Sequence, residues 1–316
     1  MAKIQVRNFP DDIYERIEQV ANREARSVEA ECRLALSKLY APTDNKGPTL
    51  TRRMQWRQET GQRLQWLFQR LVDDRYFRDP HAADMTRLAR LLETPSAGEL
   101  IDCVDGLQEL TFTLADRIAA RFDADAEWLL SGKGTPFPVV RIGSSYPEFF
   151  LPSDGSTGYV FELIRIDSGR YEGTLFCLRY DPQMLRYTLG VVTENFVLAA
   201  GMGSGGHGNL KRFLLFLKTQ GASLALNAFS WTPGEEDNDF WRIFGHHHPL
   251  YFQDPTQRTT ARWLQQLLEG EDPDNWFTGW SASLTEIENT PYGPATPSAT
   301  EIIGQTQPLD DVNNGQ

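Results

Sequence analysis

Apolar and polar residues alternate at the start of the chain, in the stretch KIQVRN. Successive side chains of an extended backbone point to opposite sides, so Ile4 and Val6 share one side and Lys3, Gln5 and Arg7 share the other. The alternation predicts a short β-strand. Its polar side is either the solvated face of an ordinary edge strand or a surface that contacts a ligand.

The hydrophobic period changes to that of a helix directly after this strand. PDDIYERIEQVANREAR begins with Pro10, which suits a first helical position, and with Asp11 and Asp12, which complement the positive end of a helix dipole. Ser27 can cap a second helix, VEAECRLALSKLY, which also carries an apolar stripe. The pattern predicts a β-α-α unit over residues 1–42.

A unit of this size is too small to be stable as a monomer. A lone strand has two unpaired edges, and so short a chain buries little apolar surface. Pairing with the same strand of a second chain would give an intertwined dimer with a two-stranded antiparallel ribbon. Lys3, Gln5 and Arg7 of each chain would then point outward and suit the base edges of a DNA major groove, because Arg and Lys bind guanine and Gln binds adenine.

The stretches KIQVRN, PDD and above all RSVEAECRLAL resemble the ribbon-helix-helix DNA-binding domain of FitA-type antitoxins. The resemblance implies an obligate dimer with Lys3, Gln5 and Arg7 as base contacts. It also implies that the amide end of the second helix, at Ser27 and Val28, lies against a DNA phosphate.

A helical segment is predicted after a linker at residues 43–50. The linker overlaps the stretch APTDNKGPT, residues 41–49, which contains two prolines and a glycine. Five short helices over residues 51–137 predict a compact all-α domain. Within it, MTRLARLLETPSAGELIDCVDG and LADRIAARFDADAEWLLSGKGTPF resemble the helix-turn-helix domain of phage-repressor-like (XRE-type) regulators. The resemblance implies that a helix over about residues 95–104 enters the major groove, with Ser96, Ala97 and Glu99 as its contacts.

The helix predicted to enter the major groove here is acidic, which is unfavourable for binding DNA. Glu99, Asp102 and Asp105 lie on it, and carboxylates repel phosphate. The domain therefore either binds DNA or is a helical fold used for packing or dimerisation. If it binds, Arg52, Arg53 and Arg57 are the expected phosphate contacts.

Short β-like runs and two helical runs alternate over residues 145–288 and predict an α+β domain of regulatory or interaction type. No motif in this part of the chain identifies a known family. The final residues, 289–316, are poor in apolar residues and rich in Pro, Thr, Asn and Gln, which predicts a disordered tail. The predicted strands are YVFELIRI, GTLFCLRY, LRYTLGVVT, NFVLAAG and SLALNAFSW, and the predicted helices are NLKRFLLFLKTQG and TTARWLQQLLEG.

Three features of this segment could carry chemistry. Residues 201–206 satisfy GxGxxG before a helix, where a nucleotide phosphate could bind, but a flexible glycine hairpin is favoured because no repeated βαβ pattern surrounds them. The contiguous His246, His247 and His248 favour a loop without metal, since neighbouring side chains diverge. Five tryptophans could line an apolar effector pocket, although core packing explains them more simply; they are Trp231, Trp241, Trp263, Trp276 and Trp280.

Composition and charge restrict the class of protein to which the chain can belong. The chain has 316 residues, 40% hydrophobic, and no apolar run long enough to span a membrane, which predicts an intracellular globular protein. The formal net charge of −12 arises mostly after residue 140, where 21 acidic residues face 11 basic ones, whereas the first 140 residues are nearly neutral. Cys32, Cys103 and Cys177 are far apart and predict reduced structural thiols.

These patterns predict a multidomain, dimeric and sequence-specific transcription regulator, most simply a repressor that occupies a double-stranded operator. The alternative is an antitoxin that autoregulates its operon. The expected partners are operator DNA, a second copy of the chain or a higher oligomer of it, and a protein or small-molecule effector at the C-terminal domain. No enzyme motif, cofactor, metal site or membrane contact is predicted, and the expected location is the cytoplasm, on the nucleoid.

Overall fold

The computed structural model describes residues 9–39, 50–143, 145–153, 158–192, 196–234 and 239–293. The chain forms two compact units, residues 1–55 and residues 56–316. Three predicted features lie outside the described residues: the strand KIQVRN, all but the last residue of the linker, and the tail from residue 294 onward. The domain bounds deduced from the sequence stay predictions.

The first unit contains the two predicted helices. Helix α1 spans Asp11–Arg23 and helix α2 spans Val28–Leu39. Pro10 precedes α1, and acidic side chains occupy the first turn of both helices, where the helix dipole favours negative charge. The next helix along the chain is α3, Arg52–Asp73.

Five helices occupy the segment predicted to be all-α. They are α3, α4 (Met85–Leu91), α5 (Ala97–Val104), α6 (Phe112–Phe122) and α7 (Ala126–Ser131), with a short 3-10 helix at Pro80–Ala83. The predicted helix HAADMTRLARLLE is divided because Asp84 caps α4 by accepting a hydrogen bond from the Thr86 amide. Ser96, Thr111 and Asp125 cap the next three helices in the same way.

A six-stranded mixed sheet follows, in the order β1-β4-β3-β2-β5-β6. Strand β2 lies antiparallel to β3 and parallel to β5, with Val160 opposite both Tyr180 and Ala225. Strands β3 and β4 are antiparallel, β1 runs parallel to β4, and β6 runs antiparallel to β5. The strands are β1 (Val139–Arg141), β2 (Val160–Ile166), β3 (Leu175–Asp181), β4 (Arg186–Val191), β5 (Ala225–Trp231) and β6 (Arg258–Thr260).

Short and long helices accompany the strands. They are α8 (Tyr146–Phe150), α9 (Ser204–Lys218), α10 (Phe240–Ile243), α11 (Trp263–Leu268) and α12 (Ser281–Asn289), with 3-10 turns at Pro249–Gln253 and Pro273–Asn275. The predicted helix TTARWLQQLLEG is shorter than expected, because Thr260 ends β6 and the helix begins at Trp263.

The strand predicted over NFVLAAG is wrong for its described part, residues 196–201, which form loop and turn. Its backbone groups bond elsewhere: the Leu198 amide donates to the Gly173 carbonyl, and the Leu198 carbonyl accepts from Arg165 Nε at 2.6 Å. The apolar residues of this run therefore cover the sheet as a packed loop.

Both faces of the sheet are buried, which explains why its central strands have nearly continuous apolar sequences. Alternate residues of β2 point to opposite layers: Ile164 and Ile166 join one core, whereas Phe161 and Leu163 join the other. The first core contains the buried residues of α3 to α7, and the second contains those of α8, α9, α11 and α12. The helical segment and one face of the sheet thus share the first of these two cores.

Two buried carboxylates also join the helices to the sheet segment. Asp74, directly after α3, contacts His247 Nδ1 through Oδ1 and accepts the His248 amide hydrogen through Oδ2, both at 2.7 Å. Asp123, which ends α6 with a left-handed backbone, accepts hydrogen bonds from Arg186 Nε and from the Tyr187 amide. Each carboxylate therefore fixes a loop or strand of the sheet layer to the end of a helix.

Gly61 in α3 permits a close approach to α5. A Cβ atom at this position would lie 2.6 Å from the Val104 carbonyl oxygen and 2.9 Å from that of Cys103. We expect Gly61→Ala to lower the free energy of unfolding by about 2–3 kcal/mol, because neither backbone atom can move without shifting α5.

Gly98 in α5 provides a matched control. A Cβ there meets only Ser96 Oγ, at 3.6 Å. Gly98→Ala should raise the free energy of unfolding by about 0.5–1 kcal/mol through helix propensity. Urea denaturation of both variants tests the pair, and an equal effect of the two substitutions would contradict the packing described for α3 and α5.

Candidate nucleic-acid interface

The start of α2 forms one part of the interface implied by the N-terminal pattern. Ser27 precedes the helix, and its Oγ accepts a hydrogen bond from the Ala30 amide at 3.2 Å. Ala25 adopts a left-handed conformation and turns the chain between α1 and α2. Ser27 and Val28 therefore lie at an N-terminal helix end, where amide hydrogens and the dipole favour an anion. A phosphate contact by these two residues stays a prediction.

Two carboxylates at this helix end would repel a phosphate if they were unpaired. Glu31 pairs with Arg26 at 2.9 Å, and Glu29 pairs with Arg33 one turn further along α2. These exposed ion pairs contribute little to stability. They do reduce the local negative charge beside Ser27.

The first unit leaves large apolar side chains uncovered in the single chain. Only Ala21 of α1 is buried, and no residue of α2 is. Burial of apolar area is the main source of folding free energy, so a pair of helices with an exposed apolar surface lacks its packing partner. The exposed side chains and their exposed fractions are Phe9 40%, Ile13 42%, Tyr14 48%, Leu36 43% and Leu39 73%.

The predicted base contacts lie outside the described residues. Lys3, Gln5 and Arg7 are alternate residues of the sequence that precede α1 by a few positions. Their role in reading bases stays a prediction, and the described helices α1 and α2 supply its structural context.

The two helices predicted to form a helix-turn-helix, α4 and α5, follow each other in the second unit and pack together. Arg117 of α6 holds the connecting turn by donating to the carbonyl oxygens of Leu92 and Glu93, both at 2.8 Å. Ser96 caps α5, since its Oγ accepts a hydrogen bond from the Glu99 amide at 3.2 Å. The Ser96 hydroxyl is thus already used within the helix.

The solvent-facing side of α5 offers little for base recognition. Gly98, Ile101 and Asp105 form its exposed stripe, whereas Ala97 and Glu99 are half-buried. A recognition helix reads bases with donors such as Arg, Lys, Asn or Gln. The exposed stripe carries none of these, and its single charge is negative. Base contacts by Ser96, Ala97 and Glu99 stay a prediction, and this surface chemistry weighs against it.

The basic residues at the start of α3 have different surroundings. Arg52 and Arg53 are exposed, whereas Arg57 is half-buried and donates through Nη1 to the Leu107 carbonyl at 2.8 Å. Arg57 thereby fixes the loop that follows α5. Arg52 and Arg53 are better exposed for the predicted phosphate contacts than Arg57 is, and all three contacts stay predictions.

The motif WLLSGKG has a structural role at the end of α7. Gly132 ends the helix in a left-handed conformation, and Arg63 and Trp56 of α3 donate to the carbonyl oxygens of Leu129 and Leu130. Burial is the main reason that the pKa of Arg63 is lowered from its usual value, and Glu59 opposes the shift. The carbonyl groups at the end of α7 are thus satisfied by α3.

The glycine motif at residues 201–206 is not a hairpin. Gly203 precedes α9, and Ser204, Gly205 and Gly206 already belong to the helix. The helix forms despite its glycines because its later turns bury Leu210 and neighbouring apolar residues against the sheet. Lys211 pairs with Glu286, and Arg212 donates to Asn209, so both cations near this helix start already have protein partners.

The three consecutive histidines lie in the turn between α10 and the 3-10 helix Pro249–Gln253. His247 contacts Asp74, and the buried His248 accepts the Leu250 amide hydrogen at Nδ1. That acceptor role places the ring hydrogen of a neutral His248 on Nε2, which faces Asp123 at 3.4 Å. His207 lies elsewhere and stacks on Trp280.

Among residues 9–39, 50–143 and the later described ranges, no group of three or more His, Cys, Asp or Glu side chains could hold a metal ion. The same residues include no helix long and apolar enough to span a membrane. Burial raises the pKa of the Cys103 thiol to about 11 and that of Cys177 further, so both thiols stay protonated at neutral pH.

Sequence reasoning missed the polar residues that join the helices to the sheet and those at the strand ends. Asp74 and Asp123 look like ordinary helix-end carboxylates in the sequence. Arg165 and Asp167 carried a signal, because two charged residues lie at the end of the mostly apolar strand run VFELIRID. Polar residues at the end of a buried strand often line a cleft.

Comparison with known families supports the reading of the N-terminus. Residues 2–40 match the family described as antitoxin FitA-like, ribbon-helix-helix. No curated protein and no solved structure matches the chain. The match confirms the predicted resemblance of the first unit to a DNA-binding and dimerising ribbon-helix-helix domain; it does not extend to the helix-turn-helix segment or to the sheet.

Proposed function

We propose that this chain is a homodimeric transcription regulator, most simply a repressor, that reads the major groove of an operator with an N-terminal β-ribbon. The family match over residues 2–40 carries the proposal. In this reading Lys3, Gln5 and Arg7 contact bases, and Ser27 and Val28 contact phosphate. The protein acts on the nucleoid in the cytoplasm and needs neither catalysis nor a cofactor.

The exposed apolar surface of α1 and α2 supports the dimer. Ile13 and Leu36 are large side chains left uncovered in the single chain. A second copy of the unit would cover them at the same time as it pairs the strand. Burial of each such side chain contributes about 1.5–3 kcal/mol, so the interface could hold the two small units together.

The second unit does not read bases in this proposal. The exposed stripe of α5 lacks donors, and the acidic excess of the chain lies mostly after residue 140. Phosphate repulsion would oppose its insertion into a groove. The unit instead serves as the regulatory part, and its α4–α5 pair acts as a packed element of the helical layer.

The description of the matched family favours one second candidate, an antitoxin that autoregulates its operon. Such a protein must also inhibit a toxin, which the second unit would then bind. Depletion of the protein in its host distinguishes the two functions. An antitoxin predicts growth arrest that is relieved by deleting a neighbouring toxin gene, whereas a regulator predicts changed transcription without that arrest.

Chromatin immunoprecipitation of the full chain tests the leading proposal. A sequence-specific dimer predicts discrete bound sites, each centred on an inverted repeat, because symmetric proteins bind symmetric half-sites. Uniform binding across the chromosome, or no enrichment at all, would refute sequence-specific regulation.

The dimer itself is tested by Leu36→Glu. We expect the substitution to raise the dimer dissociation constant at least about 100-fold, because a carboxylate would be buried without a partner at the interface. Sedimentation equilibrium measures the change. Ser37→Glu is the matched control: it adds the same charge at an exposed position about 100° around α2 from Leu36, away from the apolar stripe, and should leave the dimer intact. Equal dissociation constants for both variants would contradict the proposed interface.

A further inference from the structure

A polar cavity lies beside the carboxyl ends of the parallel strands β2 and β5. Its volume is about 520 Å³, within the range of small-molecule sites. Ile166 and Trp231 are the last residues of the two strands and lie opposite each other. The next residues, Asp167 and Thr232, are therefore neighbours at this edge, and the Thr232 hydroxyl donates to Asp167 Oδ2 at 2.8 Å. Ligands of open sheets commonly bind at such an edge.

A buried arginine forms the inner wall of the cavity. Arg165 is only 5% exposed, and its guanidinium lies 4.1 Å from the centre of the Trp276 ring. It donates to the Leu198 carbonyl and pairs with Glu172 at 3.1 Å. Burial lowers its pKa, and Glu172, Asp167 and Asp274 oppose that shift. The wall is thus charged and already fixed by protein contacts.

Apart from Arg165 and Glu172, the cavity lining contains both positively and negatively charged side chains. Arg262, at the start of α11, forms no ion pair with any residue that the structure describes, and Asp274 likewise forms none. Asp167 satisfies one oxygen with Thr232, but its buried Oδ1 has no hydrogen-bond partner. After Arg165 and Glu172 neutralise each other, the cavity keeps one guanidinium and two carboxylates.

A turn forms one wall of the cavity. Asp274 and Asn275 both have positive φ angles, 50° and 55°, which Asp and Asn adopt more readily than other non-glycine residues. This turn presents Asp274 to the cavity and places the following Trp276 over Arg165.

We propose that this cavity binds a free α-amino acid, with its carboxylate at Arg262 and its ammonium group at Asp274 and Asp167. A dicarboxylate would be repelled by Asp167 and Asp274. A simple polyamine would be repelled by the guanidinium of Arg262. A zwitterion satisfies both signs. The site is independent of DNA binding, so it holds whether or not the ribbon reads an operator.

The binding is tested on the full chain by thermal unfolding with each of the twenty proteinogenic amino acids at 10 mM. Succinate and putrescine are the probes with one sign of charge only. At least one amino acid should raise the melting temperature by several degrees, as a ligand well above its dissociation constant does. Its N-acetyl and methyl-ester derivatives should bind roughly tenfold or more weakly, because each lacks one charged end.

Two substitutions locate the site. Arg262→Gln and Asp274→Asn should each weaken binding roughly tenfold in calorimetry. Both positions are exposed, and Asn also tolerates the left-handed backbone, so both variants should keep the melting temperature of the ligand-free protein. Arg170→Gln and Glu271→Gln, exposed residues that do not line the cavity, are the matched controls and should bind as the parent does.

Three results would overturn the proposal. The first is that none of the twenty amino acids shifts the melting temperature. The second is that Arg262→Gln and Asp274→Asn bind the selected amino acid as tightly as the controls. The third is a shift by succinate or putrescine as large as that of the amino acid.

Discussion

Simultaneous replacement of Lys3 and Arg7 by alanine is expected to lower operator affinity about 10³-fold at fixed salt. The dimer would lose four cationic side chains, and each good contact to a base edge contributes about 1–3 kcal/mol. Every 1.4 kcal/mol is tenfold in affinity, so even modest contacts give the stated loss. The variant should also lose its preference for the operator over unrelated DNA, because base contacts carry that preference.

Fluorescence anisotropy with a labelled operator duplex measures both quantities at the same salt concentration, since the salt dependence of phosphate contacts would otherwise obscure the result. Arg242→Ala is the control: it removes a cation that is highly exposed in α10. The affinity of the Arg242→Ala variant for the operator should stay within about twofold of that of the parent protein. A double variant that binds as tightly as this control would show that the strand does not read DNA.

Asp74→Ala should lower the free energy of unfolding of the second unit by about 3–5 kcal/mol. The Asp74 carboxylate is almost completely buried and bonds to the His247 ring and the His248 amide at 2.7 Å. Its removal leaves the buried His248 amide and the half-buried His247 ring without this acceptor, and an unsatisfied buried donor costs the full desolvation free energy. It also leaves Arg70, which lies 3.2 Å from His247 Nε2, as the polar contact between α3 and the histidine turn.

Asp73→Ala is the matched control for this prediction. Asp73 is the neighbouring carboxylate, but it is exposed and bonds only to the Gln69 side chain one turn earlier. Its replacement should change the free energy of unfolding by less than about 0.5 kcal/mol. The two curves are compared by guanidinium denaturation. Equal midpoints would mean that the contacts of Asp74 do not hold the helices to the sheet.

Local sequence patterns predicted most of the elements. The helices α1 and α2, and the five helices α3 to α7, follow from apolar periodicity and from capping residues such as Ser96, whose effects act within one or two turns. The strands β2 to β5 follow from apolar runs rich in β-branched and aromatic residues.

The errors arose where tertiary contacts override local preference. NFVLAAG has a strand composition, but its Leu198 backbone bonds to Gly173 and Arg165. Glycine-rich residues 201–206 suggested a hairpin, but burial of the later turns of α9 extends the helix back to Ser204. Neither outcome is visible in a window of a few residues.

The candidate interface was predicted in part. The FitA-like match supports the N-terminal module, whose pattern is local and alternating. The cavity at β2 and β5 was not foreseen, because Arg165, Asp274 and Arg262 are distant in the sequence and line one cavity only in the folded chain. Five tryptophans were considered as the lining of an apolar effector pocket. Three of them, Trp231, Trp263 and Trp280, are buried in the hydrophobic core.

The central claim is that residues 3, 5 and 7 of two chains read one operator. It is tested most directly by selecting bound DNA from a random duplex pool, in parallel, with the full chain and with its Lys3→Ala, Arg7→Ala double variant. The account predicts an enriched inverted repeat for the full chain and no enriched sequence for the variant. Enrichment of the same sequence by both proteins would contradict it.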